Sequence, residues 1–208
     1  MKYNPNIQPV LEKYLSKSRL SKYSKILDSD DFEKKLELYL FNIRCAERFH
    51  SILIQLEVIL RNAINEQLIL DFGSKWFCDE KLQFAPTQKQ IIAKIILDLQ
   101  QASKKIDACN VTANLTFGFW VNLFNSEYDQ TFWRKSLHKI FSNHQHISRS
   151  TVRERLEKFR NIRNRISHCE PIVQFPLVKY YGQLIEFISW LNKDLAIWIA
   201  AQINFKND

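Results

Sequence analysis

Arg163 and His168 stand five positions apart in the string RNRISHCEPI, which runs from Arg163 to Ile172. Arginine is a permanent cation with a planar fork of donors, and histidine is the side chain that titrates near neutral pH, so together they meet the minimum for cleaving a phosphodiester without a metal. Attack by a ribose 2′-hydroxyl on the neighbouring phosphorus needs a proton removed, a proton delivered to the leaving 5′-oxygen and charge stabilised on the phosphoryl oxygens. His168 can do the first two where two copies meet. Arg163 can hold the phosphoryl group with a bidentate fork that lysine cannot reproduce, and Asn164 can orient the histidine or the phosphate.

These residues must be positioned by a helix. At about 100° per residue, Val152, Leu156, Phe159, Ile162 and Ile166 gather into one apolar stripe with Arg163 inside it, and Asn164 and His168 lie one turn apart on the polar face. Arg163 and His168 are about 140° apart around an ideal helix, so they cooperate only if the helix ends there or if a second copy supplies one of them. A guanidinium in an apolar stripe needs a partner. The long segment upstream offers Glu57, at the margin of a stripe of Phe49, Ile52, Leu53, Leu56, Leu60 and Ile64, with Arg61 one turn later. Two readings stay open: Glu57 positions Arg163 for chemistry, or the two form a buried ion pair that only docks the helices. His168 too has a plain structural alternative, as a cation beside the last carbonyls of its helix.

Charge points to a polyanionic partner. The formal net charge of the 208 residues is +8, and six of the eleven arginines lie between Arg149 and Arg165, around the motif. Such clustering suits counterion release on RNA, with Arg153, Arg160 and Arg165 tracking the backbone. A solvated helix face is the competing account of the same cluster.

Only three glycines and five prolines punctuate the chain, too few for the turns of a β fold, so the class is all-α in one domain spanning residues 1–208. Residues 1–30 read as a peripheral segment of one or two short helices. From the caps Asp30 and Asp31 a breaker-free segment runs to Gly73, as one very long helix or two with a kink. Pro86 and Thr87 open a helix to about Ile106, followed by a polar loop. The aromatic clusters TFGFWVNLF and YDQTFWRKSLHKIF read as two short buried helices, whose rings serve the core or, less often, stack bases. A capping box of Thr151 and Glu154 opens the arginine-rich helix, Pro171 and Pro176 end it, and a last amphipathic helix runs from Leu177 to Ile203.

Four scattered cysteines and the isolated His138, His144 and His146 lack metal-ligand spacing, and no glycine-rich phosphate loop is present, so neither metal nor cofactor is expected. The N-terminus has no leader pattern and no apolar run is long enough to span a membrane, which leads to the expectation of a cytoplasmic protein.

Four blocks, LEVILRNAINEQL followed by FGSKWF, LTFGFWVNLF, YDQTFWRKSL and RNRISHCEPI, occur in an order that resembles the Abi-like proteins of bacterial abortive phage infection, a branch of the HEPN superfamily. The likeness covers most of the chain beyond about residue 30. It implies a HEPN-like helical bundle with additional N-terminal and middle helices, homodimeric through the motif helix. Such proteins act in phage defence or as toxins, as endoribonucleases that leave a 2′,3′-cyclic phosphate and a 5′-hydroxyl. Arg163, Asn164 and His168 are the residues carried over. A tyrosine shortly after the histidine, the target of nucleotidylation in some toxins of the superfamily, is replaced here by Cys169, Glu170 and Pro171. The same resemblance also allows a module that grips a regulatory RNA without cutting it.

Overall fold

A computed structural model describes residues 7–144 and 146–202. Among them there are helices and turns but no strand, and no helix is long and apolar enough to cross a membrane. Two short helices, α1 (Gln8–Tyr14) and α2 (Lys17–Leu27), precede the spine of the molecule, α3 (Phe32–Phe72), an unbroken helix of 41 residues. Asp31 caps α3 by accepting from the Lys34 amide, and Gly73 ends it with φ 85°, a left-handed value that a side chain would resist.

Around α3 pack α2, α5 (Ala108–Asn114), α6 (Phe117–Asn122), α7 (Arg149–Ser167) and α8 (Leu177–Leu191). α4 (Pro86–Gln101) reaches the bundle through α5, and α9 (Lys193–Gln202) folds back on α8. Phe49, Ile52, Leu56, Leu60, Ile64 and Leu68 of α3 are all fully buried, so its apolar stripe is the floor of a single core. Phe117, Phe119, Trp120, Phe124, Phe132 and Trp133 are buried too, which gives the aromatic clusters to packing.

Several boundaries differ from expectation. α4 ends at Gln101 rather than near Ile106, and the expected polar loop contains α5, capped by Asp107 and buried through Ala108, Val111 and Thr112. The last helix breaks at Asn192, whose Oδ1 accepts from the Leu195 amide and so caps a new helix. Ile203 lies outside the described residues. α7 is capped by Ser148, which accepts from the Thr151 amide, not by Thr151. The Tyr128–Phe141 segment is a series of 3₁₀ and π turns instead of one helix. Tyr128, Phe132, Trp133, Leu137 and Phe141 are all buried.

Candidate functional site

α7 carries the motif at its C-terminal end. Its buried stripe is Val152, Leu156, Phe159 and Ile162, with Ile166 half-buried against the core. The helix stops at Ser167, so the motif straddles a helix end. His168 is the C-cap, Cys169 follows with φ 53°, and the amides of Cys169 and Glu170 donate back to the carbonyls of Ile166 at 2.9 Å and Arg165 at 2.8 Å. That pair of bonds is a Schellman turn, here made with a cysteine where glycine is usual.

The turn is held from several sides. Arg165 donates to the carbonyl of Pro171 at 3.2 Å, pairs with Glu170 at 3.2 Å and lies 5.2 Å over the Phe175 ring. Arg19 of α2 donates to the carbonyl of Cys169 at 2.5 Å. Buried Asn42 of α3 accepts from the amides of Ile172 at 2.7 Å and Val173 at 3.3 Å. These contacts fix the backbone on which His168 sits without touching its ring.

The other arginines of α7 are likewise engaged. Arg149 pairs with Asp129 at 3.2 Å and donates to the Phe124 carbonyl at 2.6 Å. Arg153 and Arg160 both grip Glu157 and reach across to α6 and the chain after it, Arg153 to Asn125 at 2.7 Å and Arg160 to Asn122 at 3.1 Å. Glu157 is held below the usual glutamate range: burial pushes its carboxyl up, and the hydrogen bonds and charges of Arg153 and Arg160 outweigh that. Arg155 pairs with Glu186 at 3.2 Å and lies 5.7 Å over Trp190.

Arg163 is the exception. Among the described residues its side chain has no hydrogen bond, ion pair or ring contact, and the same holds for the side chains of Asn164 and His168, both exposed. The Glu57–Arg163 ion pair expected from the two apolar stripes does not form. Both residues are half-buried, so water reaches each of them and no dehydrated charge requires compensation. Arg61, one turn beyond Glu57, is also half-buried, and its Nε is shielded from water without an acceptor. The fold therefore brings Arg163, Asn164 and His168 to one helix end, leaves Glu57 and Arg61 on α3 outside any ion pair with them, and engages Arg153, Arg160 and Arg165 in its packing.

No model of a known protein family matches the chain, and neither does any curated protein or solved structure. The arrangement has to be read from its own chemistry. No group of three or more His, Cys, Asp or Glu side chains among the described residues is placed to hold a metal ion. Arg163 offers an uncommitted fork, Asn164 an amide and His168 an imidazole, all at the tip of one helix, a set suited to gripping phosphate and moving protons.

Three supporting residues, Asn42, Asn65 and Arg19, were not singled out from the sequence. Asn42 and Asn65 are buried on α3, where Asn65 accepts from Trp76 Nε1 at 2.9 Å and from Thr112 Oγ1 at 3.0 Å. Their signal was a polar amide in register with an apolar stripe. Arg19 carried no such signal, since its contact lies 150 residues away.

Proposed function

We propose that the chain is a HEPN-type, Abi-like endoribonuclease acting without a metal, in phage defence or as a toxin. It cleaves RNA by 2′-hydroxyl attack to leave a 2′,3′-cyclic phosphate, at a composite site built by two copies. The single observation that supports this reading is the contrast within α7: five arginines are tied into the fold, whereas Arg163, Asn164 and His168 have no side-chain partner among the described residues. An arginine present for docking would be paired, as its neighbours are.

In this mechanism His168 of one copy takes the 2′-hydroxyl proton and His168 of the other protonates the leaving 5′-oxygen. Arg163 donates to the phosphoryl oxygens as their charge grows, and Asn164 orients the phosphate. A rigid helix end serves this chemistry because a displacement of about 1 Å can cost a hundredfold in rate.

Incubation of the protein with structured RNA in EDTA, beside His168→Ala, tests the reading. Cleavage to cyclic-phosphate ends by the parent protein and none by the variant is the expected result. Cleavage that survives the substitution removes the site assignment. Intact RNA with tight binding by both proteins makes the chain an RNA-gripping module instead.

A further inference from the structure

A cleft lies at the other end of α7. It encloses about 970 Å³ between the turns of residues 129–142 and the start of the helix, and His138, His144, His146, Arg134, Lys139 and Arg149 line it. The acid on its wall is Asp129, and both of its oxygens are taken, one by Arg134 at 2.7 Å and one by Arg149 at 3.2 Å. Lys139 is held from outside the wall by Asp71 at 2.7 Å, so three cations stand against two carboxylates and the hollow keeps one positive charge in excess before the histidines are counted.

Two of the imidazoles are set against aromatic rings. His138 lies edge-on to Trp133 at 6.4 Å and His144 to Trp190 at 5.2 Å. His138 Nδ1 faces the carbonyl of Trp133 at 2.9 Å; a carbonyl oxygen only accepts, so Nδ1 carries a proton, and in that tautomer Nε2 is the acceptor. An acceptor beside fixed cations suits a ligand that offers a hydroxyl next to a phosphate. Ribose with its 3′-phosphate is such a ligand, and 2′-deoxyribose is not.

The cleft does not end at Arg149. Arg149 and Ser150 also line a second hollow of about 420 Å³ that continues along α7 past Arg153 and Lys158 to Asn161. Its two carboxylates, Glu154 and Glu157, are each bound by cations of the same helix. Counted together, the two hollows present five Lys and Arg side chains against three acids and the Asp71 that holds Lys139, and they run to Asn161, which shares a face of α7 with Asn164 and His168, three and seven positions further on. A small anion would fill one corner of such a track; a polymer of phosphates would follow it.

We propose that the His138/His144/His146 cleft is a phosphate-binding subsite for RNA, continuous along one face of α7 with Asn164 and His168. This rests on the reading of RNA as the ligand of the chain. The subsite lies about 20 Å from Arg163, fourteen helical steps from Arg149, so it grips the RNA several nucleotides from the scissile bond.

The experiment uses the full chain carrying His168→Ala, so that RNA is bound without being consumed, and measures affinity for a twelve-nucleotide RNA and for DNA of the same sequence. Arg134→Gln and His138→Phe are compared with Lys89→Gln, an equal loss of charge on exposed α4, with thermal melting to show that each protein is folded. Arg134→Gln is expected to weaken RNA binding about tenfold and Lys89→Gln less than about twofold, the difference being one charge-assisted contact. His138→Phe is expected to abolish the preference for RNA over DNA. Equal losses from Arg134→Gln and Lys89→Gln, or none from either, overturn the subsite. So does binding of inorganic phosphate that depends on Arg134 while RNA binding does not. RNA cleavage by the parent chain with no effect of Arg134→Gln on affinity would remove the subsite and keep the nuclease; cleft-dependent affinity without cleavage would do the reverse.

Discussion

Arg19 donates from Nη1 to the carbonyl oxygen of Cys169 at 2.5 Å, joining α2 to the turn that ends α7. Cys169 occupies the left-handed region at φ 53°, where a residue with a Cβ costs about 1–2 kcal/mol. Arg19 is one of the contacts that hold the turn in that state. Arg19→Ala should cost about 1 kcal/mol and speed hydrogen exchange at the Glu170 amide, which closes the turn. Cys169→Gly should restore stability in the same background, because glycine removes the strain itself. If the turn positions His168, Arg19→Ala lowers kcat and leaves KM nearly unchanged.

Arg163 and Arg165, two positions apart, should behave as opposites. Arg165 makes a hydrogen bond, an ion pair and a ring contact, so Arg165→Ala should lower stability by about 1–2 kcal/mol. Arg163→Ala should change it by less than about 1 kcal/mol, the worth of its packed stem. Under the proposed nuclease reading the order inverts in activity: Arg163→Lys keeps the charge and loses the fork, and cleavage should fall about a hundredfold. Urea unfolding set beside single-turnover cleavage reads both effects.

Tyr23 is fully buried between α2 and α3 with a hydroxyl that has no hydrogen-bond partner among the described residues. Burial is the main reason that its ionisation is pushed up to about 12, with Tyr39 adding to it. A raised value means that the folded chain resists ionisation that the unfolded chain accepts. The stabilising contribution is therefore complete below the ordinary value of 10 and is lost as pH rises from there through about 12. Tyr23→Phe should leave stability at pH 7 unchanged or raise it by up to about 1 kcal/mol, since an unsatisfied hydroxyl is removed. It should also flatten the alkaline limb of the unfolding curve.

Asn65 is the polar hub beneath α5. Asn65→Ala leaves Trp76 Nε1 and Thr112 Oγ1 buried without their acceptor, and a buried orphan donor costs about 1–3 kcal/mol. Thermal unfolding should show the loss, and Thr112→Val in the same chain should recover part of it by removing one of the two orphans.

Much of this architecture was legible because the signals were local. The Asp31 cap, the Gly73 stop and the apolar stripe between them specify α3 without reference to anything else. α5 was illegible because it turns only Ala108, Val111 and Thr112 inward, too little periodicity to stand out from a loop. The break at Asn192 was hidden by an apolar pattern that continues on both sides of it, although an asparagine followed by Lys193 and Asp194 is a cap signal. The engagement of Arg153, Arg160 and Arg165 lay beyond reach for a different reason: a guanidinium reads alike on a helical wheel whether its partner is RNA or a carboxylate. Asn122 and Asn125 come to Arg160 and Arg153 only when α6 is laid against α7.

Glu157 shows what that engagement does for stability. Its carboxylate is gripped by Arg153 and Arg160, and those same arginines hold the asparagines at the end of α6, so the ion pairs brace the interface between the helices. Its value in the folded chain lies below the ordinary 4.5. For a carboxylate lowered in this way the contribution is complete above about pH 4.5 and is lost as pH falls through the folded value. Glu157→Gln should accordingly be less stable than the parent at pH 7, and the difference should shrink towards zero on acidification. Urea titrations at pH 7 and pH 3 measure it. A gap that stays constant with pH would mean that the carboxylate's charge contributes nothing and that glutamine merely packs worse between the two arginines.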